Sequence, residues 1–120
     1  MSTSRELSEI LRTRPREDGG FSLLYYCPGC KHAHQIQVDA KSGPSWTWVG
    51  DPERPTFNPS VRVSHPGYTY VRDGKTITKP EVTTCHHWVR NGQIEFLADS
   101  SCHQLRGFHD MAVFPEGYAT

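Results

Sequence analysis

The residues whose spacing most directly dictates chemistry in this chain are the cysteines of Cys27-Pro28-Gly29-Cys30. Two thiolates around a tight Pro-Gly turn converge on one ion while backbone amides donate to the sulfurs, the arrangement of a zinc-knuckle half-site. A thioredoxin-type pair would open a helix. Here a strand-like segment, Ala33 to Val38, follows, so zinc is expected rather than dithiol redox chemistry.

A tetrahedral ion needs two more ligands. The dipeptide Asn91-Gly92 suits the positive φ angles of a two-residue type I′ hairpin turn, and it sets a register. Arg90 then pairs with Gln93, Val89 faces Ile94, His87 faces Phe96 and Cys85 falls opposite Ala98. His86, Trp88, Glu95 and Leu97 take the other side of the sheet. The open end of this hairpin brings Cys85 and His86 beside the segment from Asp99 to His103. Neighbours on a strand point to opposite faces, so Cys85 and His86 do not share an ion. Cys85, on the face of Val89, Ile94 and Phe96, is the expected third ligand. The spacing from Cys85 to Cys102 is no second Cys-x-x-Cys, so the residues alone leave Cys102 and His103 open for the fourth position. His32, His34, His65, His87 and His109 are expected as surface or hydrogen-bonded core histidines, although His34 lies only four residues from Cys30.

An enzyme built on this metal would activate a water, with His86, Glu95 or Asp99 carrying the proton. The motifs of such enzymes are missing. A zinc deaminase needs His-x-Glu or Cys-x-Glu upstream of Pro-Cys-x-x-Cys, and neither His-Glu-x-x-His nor Gly-x-Ser-x-Gly occurs.

The elements that must hold these residues are short. A chain of 120 residues is one domain by length, and mean hydropathy of −0.64 leaves a thin core built on Trp46, Trp48, Phe57, Trp88, Phe96 and Phe114. Thr3 and Glu6 have capping-box spacing, and Leu7, Ile10 and Leu11 recur on one face, which predicts a short N-terminal helix ended by Pro15. Residues 1–18 are therefore expected as a helix or arm and 19–120 as a zinc-binding β domain. After Gly20 the pattern is mainly β and antiparallel, with strands expected over Phe21–Tyr26, Ala33–Val38, Trp46–Val49, Val61–Val63, Tyr68–Val71, Val82–Arg90, Gln93–Leu97 and Met111–Phe114. His34, Ile36 and Val38 alternate with Gln35, Gln37 and Asp39, as one buried face requires.

Thirteen basic residues balance thirteen acidic ones, so a broad phosphate-binding face is not expected. No apolar run is long enough to span a bilayer, and the first residues lack the pattern of a signal peptide. A cytoplasmic location follows as an expectation, in which four cysteines serve metal before disulfides.

Cys27-Pro28-Gly29-Cys30, Trp46-Thr47-Trp48-Val49-Gly50, Pro55-Thr56-Phe57-Asn58-Pro59-Ser60 and Cys85-His86-His87-Trp88-Val89-Arg90-Asn91-Gly92 occur in that order. Over about Tyr26 to Pro115 the chain thereby resembles a family of small phage and prophage proteins of unknown function, often labelled ammonia monooxygenase. The resemblance implies a Cys-His pair at Cys85 and His86 and a histidine ahead of Leu-x-Gly, matched by His103, Leu105 and Gly107. It turns the choice of fourth ligand to His103, so that the expected zinc ligands are Cys27, Cys30, Cys85 and His103. It implies a phage-related origin and, for a phage-encoded chain, the host cytoplasm. The monooxygenase label gains nothing from the residues, because a copper oxygenase would show a histidine-rich site with open positions.

The function expected on these grounds is a small accessory protein with structural zinc, binding a host or phage macromolecule. Structural zinc contributes about 10–16 kcal/mol in zinc-finger peptides, against a net ~5–15 kcal/mol for a whole domain. The partner is a protein or single-stranded nucleic acid, the latter suggested by Arg54, Arg62, Arg72, Lys75 and Lys79 lying near Trp46, Trp48, Tyr68 and Tyr70 in sequence. A zinc-dependent hydrolase or deaminase is the alternative.

Overall fold

The pairing of β3 (Phe21–Cys27), buried on both faces over Ser22 to Tyr25, with β4 (His32–Val38), whose burial alternates, organises the protein. The computed structural model describes residues 4–65, 67–80, 82–100 and 104–120. Leu23 pairs with Ile36 and Tyr25 with His34, directing all four side chains to one face. Two further strands, β1 (Arg5–Glu6) and β2 (Arg12–Pro15), complete an antiparallel sheet in the order β1-β2-β3-β4.

A five-stranded sheet lies against it. It contains β5 (Thr47–Val49), β6 (Thr56–His65), β9 (Val82–Arg90), β10 (Gln93–Phe96) and β11 (Gly107–Asp110), in the order β11-β10-β9-β6-β5. Between them β7 (Tyr68–Arg72) and β8 (Lys75–Lys79) form a separate hairpin. Phe57, Val61, Cys85, Val89, Ile94 and Phe96 point inward and pack with Leu23, Tyr25 and Ile36 in one core. The Tyr25 ring meets Phe57 at 5.5 Å between centroids and His87 at 5.7 Å. Outside the first sheet the C-terminal segment closes over Tyr26, whose ring lies 6.3 Å from Phe114 and 5.3 Å from Tyr118.

The predicted N-terminal helix does not form: β1 and β2 occupy the segment, and the described residues contain no helix. A helix of this length is marginal without tertiary support. Instead the amides of Leu7 and Ser8 donate to the Leu11 carbonyl, and Ser8 Oγ accepts from Ile10 N at 3.2 Å and donates to the Pro52 carbonyl at 2.7 Å. This tight loop buries Leu11 completely and lets Arg12–Pro15 pair with Phe21–Leu24. The strand expected over Val61–Val63 is extended to Thr56–His65, and Met111–Phe114 forms only an isolated bridge at Ala112 with Tyr26 while the strand itself lies at Gly107–Asp110.

Around Asn91 and Gly92 the observed register is Arg90 to Gln93, Val89 to Ile94, Trp88 to Glu95 and His87 to Phe96, as the turn dictates. Both turn residues have positive φ, 50° and 76°. On its other side β9 pairs with β6 through two irregularities. Between the pairs Phe57–Val89 and Val61–His87, the three residues Asn58, Pro59 and Ser60 oppose Trp88 alone. Proline is admitted here because a bulge needs no ladder donor, and bulges re-aim side chains.

A Cβ at Gly92 would lie 3.1 Å from Arg54 Cα and 3.2 Å from the Glu53 carbonyl oxygen, at a φ of +76°. Gly92→Ala is expected to destabilise the fold by roughly 1–2 kcal/mol from the left-handed backbone alone, read as a lower urea midpoint with an unchanged slope.

Candidate functional site

Strand β9 carries two different sites on its two faces. Inward, Cys85 meets the knuckle: Cys27, Cys30, His34 and Cys85 each offer a ligand atom, and these atoms lie within 4.8 Å of one another. The turn after β3 supplies Cys27 and Cys30, and the Cys30 amide donates to Cys27 Sγ at 3.4 Å. Strand β4 supplies His34, one pleat from the knuckle, since Tyr25 is its direct partner. Cys27 and Cys85 approach to 4.0 Å between sulfurs. A tetrahedral ion with bonds of ~2.3 Å would hold its sulfurs at nearly that separation.

The chemistry of the donors fits a cation. Cys27, Cys85 and His34 are buried, and His34 Nε2 has no hydrogen-bond partner among the described residues. A buried nitrogen so placed costs about 1–3 kcal/mol unless something fills it. The hydrogen bond from Cys85, with help from His34 and the Cys30 amide, holds the Cys27 thiol well below its ordinary range. Cys85 is pushed far up, because it keeps the proton bonded to Cys27 and is buried. Protons alone thus stabilise one thiolate of the pair, whereas a divalent ion stabilises both.

A second layer supports Cys85. His87 Nδ1 lies 3.2 Å from Cys85 Sγ, and His87 Nε2 lies 2.8 Å from the Tyr25 hydroxyl. Burial, reinforced by the charges of Cys85, Cys27 and Cys30, raises the Tyr25 pKa well above its ordinary value. Tyr25 therefore remains a phenol, able to donate to Nε2, and with that tautomer Nδ1–H would face the sulfur. Such outer hydrogen bonds orient metal ligands. The His87 ring also stacks on His34, 5.4 Å between centroids.

Cys102 and His103 lie outside the described residues. His32 and His109 bond backbone carbonyls, those of Ala33 and Arg106, at 3.1 Å each.

Outward, β9 presents His86. Its Nε2 lies 3.1 Å from Ser60 Oγ, and its Nδ1 lies 3.0 Å from both carboxylate oxygens of Asp99. Asp99 accepts the Nδ1 proton, Nε2 is left bare, and the Ser60 hydroxyl donates to it. This is the order of a nucleophile, a general base and an orienting acid. Ser60 reaches the outer face because Val61, its neighbour, points into the core and the bulge carries Ser60 over His86. Its carbonyl is held by Trp46 Nε1 at 3.2 Å.

Asp99 is placed by a clasp on the backbone of His86. The amide of His86 donates to Ser100 Oγ at 2.9 Å, and that hydroxyl donates to the His86 carbonyl at 3.2 Å. Leu97 N donates to the same carbonyl at 2.9 Å. Arg106 Nη2 reaches the carbonyls of Ser100 at 3.0 Å and Ala98 at 3.4 Å. The side chains of His86 and Asp99 are 23% and 56% exposed, so both are open to solvent. Arg62 lies directly across from His86 on the same face. Asp99 and His86 were candidates as proton carriers, but Ser60 carried no signal as a nucleophile: its setting is Phe57-Asn58-Pro59-Ser60-Val61 and not a glycine-flanked elbow.

The purified chain is expected to carry about one zinc, and Cys27→Ser and His34→Ala should each lose it while His103→Ala keeps it, by elemental analysis. Loss on His103→Ala with retention on His34→Ala would assign the fourth position to His103.

No curated protein and no solved structure matches the chain. A family model does, over residues 3–97, and its description is bacterial ubiquitination-like system serine protease (BubE). That span covers both the cysteines of the knuckle and the Ser60–His86 pair, and the chain belongs to the BubE family.

Proposed function

We propose that this protein is a serine hydrolase acting on polypeptide acyl bonds, with Ser60 as nucleophile, His86 as general base and Asp99 as the acid that orients it. The observation that carries the reading is the continuous pair of hydrogen bonds from Ser60 Oγ through His86 to Asp99, 3.1 Å and 3.0 Å. His86 takes the Ser60 proton as Oγ attacks the carbonyl carbon. It then returns the proton to the leaving group, giving an acyl-Ser60 ester that water, activated by His86, hydrolyses. Asp99 stabilises the imidazolium in both halves. The family description names a serine protease of a bacterial ubiquitination-like system, which supports a protein as the source of the carbonyl.

The inner cluster then serves structure. Three sulfurs and one imidazole complete four-coordination from protein atoms and leave no position for a water, as structural zinc sites do. Zinc held by Cys27, Cys30, His34 and Cys85 would tie β9 to β3 and β4 on the inner face, behind the proposed catalytic groups. This reading replaces a binding-only accessory role with catalysis and keeps the metal structural. The phage or prophage origin implied by the motif order bears on none of these residues.

A fluorophosphonate probe should label Ser60 in the wild-type chain and not in Ser60→Ala. Ser60→Ala and His86→Ala should each lower kcat on an activated ester by about 10⁴-fold or more, with Asp99→Asn losing less, and all three should keep their zinc. Hydrolysis that survives Ser60→Ala but disappears with zinc chelation would instead favour a metal-bound water.

A further inference from the structure

The β7–β8 hairpin takes no part in the core or in either site. Its register pairs Tyr68 with Lys79, Tyr70 with Ile77 and Arg72 with Lys75 on one face, and Thr69 with Thr78 and Val71 with Thr76 on the other. The turn residues Asp73 and Gly74 have φ values of 52° and 73°, as a two-residue turn requires. Every residue of the two strands is exposed except the half-buried Ile77. A lone two-stranded hairpin is marginally stable at best, so this one contributes little to the fold. Lysines on open strands guard against edge pairing. They do not explain Tyr68 at 52% exposure and Val71 at 70%.

The first face is chemically specific. Three cations and two tyrosines occupy it with no carboxylate, and the tyrosine rings stack with centroids 5.9 Å apart and planes 23° apart. Tyr and Arg are the types enriched at protein-binding hot spots, and the charge complements an acidic segment. The chain's net charge of zero gives no broad field for a phosphate backbone, which favours a polypeptide over nucleic acid. The hairpin is also continuous in the chain with the strands of the outer site: β7 follows β6, which carries Ser60, and β9, which carries His86, follows β8. Three residues of β6, Val63 to His65, separate the Arg62–His86 rung from the end of that strand, and β7 begins at Tyr68. Arg62, exposed beside His86, adds a cation along the way.

We propose that the tyrosine-bearing basic face of the β7–β8 hairpin is an exosite that docks an acidic stretch of the polypeptide whose scissile carbonyl enters the Ser60–His86–Asp99 site. The proposal rests on the hydrolase reading, and its test is separable from it because binding is measured without turnover. The probe is a fluorescein-labelled glutamate-rich peptide, titrated into Ser60→Ala protein by anisotropy. Binding that weakens with added salt is expected. Reversing the charge of Arg72, Lys75 and Lys79 to Glu together should weaken it by about tenfold or more, and Tyr68→Ala with Tyr70→Ala should also weaken it, with zinc content and urea midpoint showing that the variants are folded. Equal peptide affinity in the charge-reversed variant would overturn the exosite. Binding of labelled oligothymidylate, with none of the peptide, would overturn its assignment to a polypeptide. Hydrolysis of an activated ester by the wild-type chain tests the triad independently, so a failure there is not mistaken for a failure of the hairpin.

Discussion

Strand alternation along β9 is the constraint on which the rest of this protein depends. Cys85 and His87 point inward and His86 points outward, because successive residues of a strand face opposite sides. One backbone therefore positions a member of the inner cysteine–histidine cluster and the histidine of the outer site, and the two cannot be adjusted separately. A slip of one residue would send His86 into the core and Cys85 to solvent. β9 is held against such a slip from both sides, by the Asn91-Gly92 turn to β10 and by the long bulged pairing with β6. The cluster of Cys27, Cys30, His34 and Cys85 adds a third restraint, since it spans the gap between the two sheets. In a core of few large side chains, that cross-sheet contact does what additional hydrophobic layers do in larger domains.

The inner polar groups are arranged so that burial has compensation. His87 links the Tyr25 hydroxyl to the Cys85 sulfur, and with Tyr25 as donor to Nε2 its Nδ1–H would face the sulfur. A protonated tyrosine is what this chain of bonds requires, and burial ensures it. The stacking of His34 on His87 ties one member of the cluster to the group that supports Cys85, so that the imidazoles occupy the core as a unit.

The outer site follows a different logic. Asp99 is more than half exposed, and its position comes from the hydrogen bonds that Ser100 makes to the backbone of His86 and from the hold of Arg106 on the Ser100 carbonyl. Charges in such a setting are screened by water until something covers them. A substrate large enough to lie across the outer face would supply that cover, strengthening the bond from His86 to Asp99 as it excludes solvent. On the proposed hydrolase reading, an open face would gain from contacts away from the scissile bond, which is the physical case for an extended hairpin bearing charge and tyrosine.

Features that act within a few residues were determined by the sequence itself. The Cys-Pro-Gly-Cys turn, the Asn-Gly hairpin with its register out to His87–Phe96, the alternating faces of β4 and the separation of Cys85 from His86 all follow from local stereochemistry. The N-terminal segment was misleading because Leu7, Ile10 and Leu11 fit a helical face, yet the competition between a marginal helix and strand pairing with β3 is decided by the rest of the sandwich. Pro59 hid the length of β6, since a bulge has no periodicity of its own. The fold alone decided that Ser60, 26 residues before His86, meets it, and that Asp99, 13 residues after, completes the set. It also decided that His34, whose spacing from Cys30 was suggestive without being diagnostic, joins the three cysteines. Such contacts depend on how two sheets stack and where a bulge turns one side chain, and neither leaves a repeating trace in the order of the residues.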